Sequence, residues 1–361
     1  MNTLQQNIIA WFQKNGRDLP WRKTYAPYHI WISEIMLQQT QMERAVDYFN
    51  RWMTRFPDIL SITRASEEEV MKLWEGLGYY SRARNIIKTA GILITEFNGK
   101  IPADHEELLK LPGIGKYTAG AIMSIAFNRD YPLVDANIER IFARLFNLAK
   151  PVKDKKTHAY IWRKASELVP KNRARLFNQA MMELGALVCL SRNPRCKICP
   201  IQRECQAFCL GLASKRPVLQ EPAKTVFIEM ATGILQREGK LFIQKRKSKG
   251  VWANLWEFPG GRLEPGETPE MALVREYEEE TKLAVGNLQK ITTVQHSYTI
   301  YRVTLHCYFC SLLDGRHEPV LNTAQEYRWV TPDELSRYAF PAGHRKLIQH
   351  LQNNFDMLQK L

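Results

Sequence analysis

The sequence predicts an all-helical domain over residues 1–213, followed by a smaller α/β domain. Three observations carry this. Helix-period apolar patterns, separated by short turns bearing Gly and Pro, run from the N-terminus to about residue 187. Four cysteines then crowd together at 189, 196, 199 and 205. After a polar, proline-bearing linker at 214–224 the apolar period becomes strand-like, in Val226 to Leu235 and Leu241 to Lys245, with Gly239 in the turn.

A chain of 361 residues with 45% apolar content has room for two or three packed domains. It contains no apolar run long enough to span a bilayer and no hydrophobic signal core between Met1 and Arg17, so a soluble, cytoplasmic protein is expected. A monomer is expected as well. Charge is unevenly placed. Residues 1–213 hold 31 Lys and Arg against 20 Asp and Glu, which is +11 of the total +14. A basic excess confined to one domain is the electrostatic footprint of a nucleic-acid binder, although a solvated basic face gives the same count.

Residues 4–13 form an amphipathic helix pattern, and Arg17-Asp18-Leu19-Pro20-Trp21-Arg22 follows as a turn. The next string, Ile30-Trp31-Ile32-Ser33-Glu34-Ile35-Met36-Leu37-Gln38-Gln39-Thr40-Gln41, sets one carboxylate among apolar neighbours. On a helix, Trp31, Ile35, Met36 and Leu37 would strip water from Glu34 and raise its pKa. Residues 42–56 and 67–75 continue as helices. Gly76-Leu77-Gly78-Tyr79-Tyr80 then precedes Ser81-Arg82-Ala83-Arg84. Aromatics on a glycine loop beside arginines suit stacking into an opened duplex, or simply packing inward.

Pro112 stops the helix suggested by Glu106 to Lys110, and Leu111-Pro112-Gly113-Ile114-Gly115 makes a hairpin into the next one. Gly113 and Gly115 lack Cβ atoms, so their backbone N–H groups can approach an anion closely, and a DNA phosphate is the anion inferred. About twenty residues on, Val134-Asp135-Ala136-Asn137 opens a further helix, where Asp135 also fits an ordinary N-cap. Residues 136–149 and 156–187 are helical patterns leading to the cysteines.

These strings together resemble the helix-hairpin-helix DNA glycosylases of the endonuclease III superfamily. Ser33-Glu34-Ile35-Met36-Leu37-Gln38-Gln39-Thr40-Gln41 is closely similar to the MutY-type adenine glycosylases. The resemblance implies a six-helix barrel over about 26–132, and an iron–sulfur domain from 1–25 plus 133–213. It implies that Glu34 protonates adenine and that Asp135 faces the flipped nucleotide. Tyr117 and Asn137 would support Asp135. Gln38, Gln39, Tyr79, Arg82, Gly113 and Gly115 would contact DNA, with Gln39 and Tyr79 filling the opened stack. Endonuclease III relatives that also cut the strand carry a lysine nucleophile where Tyr117 stands here. The resemblance therefore implies a monofunctional enzyme acting on adenine opposite 8-oxoguanine or guanine in duplex DNA. A bifunctional glycosylase/lyase is the alternative.

Cys189, Cys196, Cys199 and Cys205, spaced C-x6-C-x2-C-x5-C without a secretory signal, argue for a metal centre rather than disulfides. Zinc is one reading, but paired C-x2-C knuckles are absent. The spacing resembles the [4Fe–4S] loop of the same superfamily. Arg192, Arg195, Lys197 and Arg203 surround it. Cys209, Cys307 and Cys310 are expected to be small buried hydrophobes.

In residues 225–361, Gly261, Glu267, Arg275-Glu276 and Glu279-Glu280 fall at the spacing of a Nudix box, with Lys282 where that box has a late glycine. Glu276, Glu279 and Glu280 share a helix face and suit Mg²⁺; an acidic solvated face is the simpler reading. Strands are expected near 291–295, 302–312 and 326–330, and a helix from about 344. The resemblance implies a MutT-like domain reading 8-oxoguanine through the region His296-Ser297-Tyr298-Thr299-Ile300. Hydrolysis of 8-oxo-dGTP by this domain is a further possibility that its carboxylates raise.

Overall fold

A computed structural model describes residues 1–220, 224–313 and 318–354. Residues 221–223 of the expected linker lie outside the described set. The chain divides into two compact units, 1–65 with 85–222, and 66–84 with 223–361. The second unit thus takes in residues 66–84, which the sequence places among the helices of the first domain.

The first unit is built from α1 (Thr3–Asn15), α2 (Pro27–Leu37), α3 (Met42–Arg55), α4 (Ile59–Arg64), the body of α6 (Ser81–Phe97), α7 (His105–Lys110), α8 (Lys116–Ala121), α9 (Ala136–Leu145), α10 (Lys155–Leu168), α11 (Ala174–Leu187) and α12 (Gln206–Cys209). Helix α2 is the central one. Pro27 starts it, where a missing N–H costs nothing, and all seven residues from Ile30 to Met36 are buried. A helix buried on every face leaves no side on which Glu34 could reach bulk water. Gln38 and Gln39 end α2, and Gln39 takes a left-handed backbone (φ 57°) that turns the chain sharply. Helix α11 packs against α1 and α9.

The hairpin between α7 and α8 follows the sequence closely. Gly113 is left-handed (φ 79°), and a Cβ there would lie 2.8 Å from Asn85 Cβ. Thr89 Oγ1 donates to the Pro112 carbonyl and pins the turn. After α8 the chain continues as a π-turn through Ile122–Ala126.

In the second unit α5 (Glu67–Trp74) accompanies a seven-stranded mixed sheet: β1 (Val226–Arg237), β2 (Lys240–Arg246), β3 (Trp256–Glu257), β4 (Gly260–Arg262), β5 (Val285–Tyr298), β6 (Tyr301–Leu312) and β7 (Ala324–Val330). The order is β3-β2-β1-β6-β5, with β4 beside β1 and β7 beside β2; β1 and β6 are parallel. Helix α13 (Pro269–Thr281) covers one apolar face through Ala272, Leu273 and Tyr277. Helix α14 (Ala342–Asn353) covers the other through Leu347, Ile348 and Leu351. Lys282 ends α13 in the left-handed conformation (φ 57°), the backbone shape for which the box usually keeps its glycine. Among the described residues, no helix is long and apolar enough to cross a membrane.

Candidate active site

A pocket in the first unit collects residues from five separate stretches: Arg17 and Arg22, Glu34 with Gln38 and Gln39, Gly115 with Tyr117, Asp135 with Asn137, and Gln179 with Glu183. Glu34 is 2% exposed, and burial pushes its pKa up to about 7, against the opposing hydrogen bond from Tyr117. The Tyr117 hydroxyl donates to Glu34 Oε2. The expectation that Tyr117 supports Asp135 is corrected here: its hydrogen-bond partner is Glu34.

Asp135 is the N-cap of α9, as its sequence context allowed. Its Oδ1 accepts from the Ile138 amide at 2.8 Å, and its Oδ2 from Asn137 Nδ2 at 2.8 Å. Burial raises its pKa, while these two donors and the nearby Arg140 guanidinium favour the charged form. Gly185 on α11 makes room for Asn137; a Cβ there would lie 2.5 Å from Asn137 Cβ.

Two further residues carry weight at the site: Glu183, which lines the pocket, and Arg140, which lies outside its lining. Glu183 on α11 accepts from Arg17 Nε at 2.7 Å and from Arg22 Nη2 at 2.8 Å, and those bonds lower its pKa. Arg140 donates to Asn137 Oδ1 at 2.8 Å and to the Cys189 carbonyl at 2.7 Å. A continuous chain Asp135–Asn137–Arg140–Cys189 therefore ties the pocket to the cysteine loop. Its i, i+3 spacing from Asn137 was the available signal for Arg140. Lys116, the nearest amine in sequence to Tyr117, holds its Nζ 3.9 Å from the centre of the Trp162 ring, a cation–π contact.

Cys189, Cys196, Cys199 and Cys205 all line one small apolar cavity beside Ile141, Leu145 and Leu184. Arg144 Nη1 donates to Cys189 Sγ at 3.2 Å and to the Leu190 carbonyl at 2.6 Å. Four free thiols around an apolar hollow, with a guanidinium on one sulfur, form a donor set that fits an iron–sulfur cluster. Among the described residues, no group of three or more His, Cys, Asp or Glu closes tightly enough to hold a single metal ion. Cys307 and Cys310 are buried as expected, whereas Cys209 is exposed, because α12 is a single short turn at the surface.

In the second unit Arg82 is buried, and its Nη2 donates to the Leu77 and Gly78 carbonyls at 2.9 and 3.0 Å. It props the glycine loop from inside, so the expectation that it contacts DNA directly is corrected. Tyr79 is left-handed (φ 47°), and its ring lies 5.7 Å from that of Tyr298. The region His296–Ile300 is the end of β5 and its tight turn into β6, with Thr299 left-handed (φ 52°).

Three of the box's carboxylates converge on one arginine. Arg275 bridges Glu267 at 2.8 Å, Glu276 at 3.1 Å and Glu279 at 3.1 Å. Glu280 is buried and takes hydrogen bonds from Gln244, Thr323 and the Gly260 amide; after burial, its charge is the next cause of the raised pKa of Glu276.

Residues 32–170 match the family model described as the HhH-GPD superfamily of base excision DNA repair proteins, and residues 230–350 match the NUDIX domain. The adenine DNA glycosylase of Buchnera aphidicola subsp. Acyrthosiphon pisum (strain APS) is 36% identical over 97% of this chain and 97% of its own length. That of Rattus norvegicus is 34% identical over 97% of this chain and 78% of its own. Among solved structures, a thermostable thymine-DNA glycosylase matches with a TM-score of 0.53 and 30% identity, over 57% of this chain and 94% of that one. With a helix-hairpin-helix unit holding a buried glutamate and a half-buried aspartate in one pocket, a Nudix domain following it in the chain, and kinship of this degree over 97% of the chain, the chain belongs to the adenine DNA glycosylases of base excision repair.

Proposed function

We propose that the pocket releases adenine, opposite 8-oxoguanine or guanine in duplex DNA, by hydrolysis alone, with Glu34 as general acid. The observation that carries this is a glutamic acid buried on the central helix with a pKa near 7, in one pocket with Asp135. Departure of a purine from deoxyribose builds positive charge on the sugar and negative charge on the base. Glu34, with Oε2 engaged by Tyr117, offers its remaining oxygen to protonate N7 of the flipped adenine and make it a better leaving group. Asp135, oriented by Ile138 and Asn137, stabilises the cationic sugar before water adds. Extrusion of the base comes first, with Gln39 and Tyr79 filling the gap and Gly113 and Gly115 gripping a phosphate through backbone N–H groups.

Strand cleavage would need an amine at the sugar. Tyr117 is a phenol, and Lys116 is engaged on Trp162. This favours the monofunctional reading over a lyase. Cys189, Cys196, Cys199 and Cys205 would hold a [4Fe–4S] cluster, which would supply four thiolate bonds that fix the basic loop. The β5–β6 turn around Tyr298 would read the opposite base. Arg275 already engages Glu267, Glu276 and Glu279 in ion pairs, which favours a structural role for that cluster over Mg²⁺ binding and nucleotide hydrolysis.

The deciding experiment incubates the protein with duplexes carrying adenine opposite 8-oxoguanine, guanine or thymine, with and without alkali afterwards. Strand breaks that appear only after alkali, and chiefly opposite 8-oxoguanine and guanine, are the expected result. Breaks without alkali would overturn the monofunctional reading.

A further inference from the structure

Residues 66–84 belong to the same compact unit as the Nudix domain; Glu67, Glu68 and Arg84 meet Asn254, Lys245 and the Ala253 carbonyl, and a second group of contacts meets residues 338–340. Glu75 Oε1 accepts from the Phe340 amide at 2.8 Å, and its other carboxylate oxygen takes Lys72 Nζ at 2.7 Å. Lys72 Nζ also donates to the Tyr338 carbonyl at 2.8 Å, and the Tyr80 hydroxyl to the Phe340 carbonyl at 3.2 Å. From the sheet side, the Trp256 amide donates to the Ala339 carbonyl at 2.9 Å. The short extended stretch is thus held by β3 and by the 66–84 segment together. Phe340 is 1% exposed and stacks on Phe258, so the stretch is packed into the core of the unit.

Glu75 and Tyr80 bracket the loop that carries Tyr79. Within it Gly76 (φ 103°), Gly78 (φ 72°) and Tyr79 (φ 47°) are all left-handed. Two glycines adopt that shape freely, but a tyrosine does so only where the surroundings hold it. Both ends of the loop are fixed to residues 338–340, and the Tyr79 ring meets Tyr298 on the β5–β6 turn, with Trp252 at 6.0 Å on the same ring.

We propose that Glu75 is a positioning residue for Tyr79. By tying the start of the loop to residues 338–340, it sets the backbone from which Tyr79 enters the base stack. Wedge insertion and reading of the opposite base are then functions of one compact unit, the Nudix-containing one. This rests on the wedge role of Tyr79 given under the proposed function.

The test uses full-length protein and a duplex with 2-aminopurine beside the adenine·8-oxoguanine pair, whose fluorescence rises when stacking is broken. Glu75→Leu removes the acceptor for the buried Phe340 amide, whereas Glu75→Gln keeps an acceptor. With Glu75→Leu, the fluorescence rise and the single-turnover excision rate should each fall by about tenfold, on the scale of one lost buried hydrogen bond. Glu75→Gln should stay within about twofold of wild type, because the amide oxygen still accepts. A folded Glu75→Leu variant with the wild-type fluorescence rise and rate would overturn the proposal. Should Glu75→Leu fail to fold, Lys72→Met removes the neighbouring tie to Tyr338. A partial loss of both signals then supports the proposal, and unchanged signals overturn it. Tyr79→Ala separates the two layers: if it leaves the fluorescence rise intact, the wedge reading itself fails. If it abolishes the rise while folded Glu75→Leu does not, only the positioning role fails.

Discussion

The phenol of Tyr117 donates to Glu34, and Asp135, in the same pocket, is held by the Ile138 amide and Asn137 instead. The two carboxylates therefore have separate supports. A variant at one support should disturb one carboxylate and spare the orientation of the other.

The Glu34 carboxyl titrates near pH 7, so excision that depends on its proton should decline as pH rises through 7. Glu34→Gln should lower the single-turnover rate by roughly two to four orders of magnitude, the usual contribution of a general acid, while duplex binding stays near wild type. A variant that kept its rate at neutral pH would remove Glu34 from the mechanism.

The same shift has a stability consequence. A carboxyl raised by burial holds its proton in the folded state after the unfolded chain has lost it. Its favourable contribution is full at pH 4 and below and is lost as pH rises through 7. Glu34→Gln should accordingly gain on wild type in calorimetric melting between pH 5 and pH 8, by up to about 3 kcal/mol. An unchanged difference between the two pH values would mean that Glu34 is not held protonated.

Gly185→Ala would place a methyl 2.5 Å from Asn137 Cβ and 3.3 Å from its Cα. Overpacking of this kind typically costs about 1–3 kcal/mol. Excision should fall further than melting temperature alone suggests, because Asn137 would be pushed away from Asp135. Full activity in a folded Gly185→Ala protein would show that Asn137 does not matter to Asp135.

Tyr117→Lys would bring an amine to the wall of the pocket beside Glu34. Borohydride should then trap a covalent protein–DNA adduct that wild type does not form. Equal trapping by wild type would revive the lyase reading.

Cys199→Ser should abolish the visible absorbance of an iron–sulfur cluster and weaken duplex binding by loosening the basic loop. One zinc and no iron in native protein purified without oxygen would sink the cluster assignment.

Local order in the sequence fixed much of this. Pro112, Gly113 and Gly115 dictate a hairpin because φ and Cβ constraints act within a few residues. The change from a 3.6-residue to a two-residue apolar period separates the helical part from the sheet, and the cysteine spacing keeps four thiols within one short stretch. Asp135 was readable as an N-cap from its immediate neighbours alone. What only the tertiary structure decided lies between residues far apart. Glu34 is fully desolvated because α2 is surrounded, a fact its own turn of helix could only hint at. Tyr117 meets a glutamate 83 residues away, and Glu75 meets the Phe340 amide 265 residues away. Burial and hydrogen-bond partners of this kind are set by packing over the whole chain, and no periodicity in a short window encodes them.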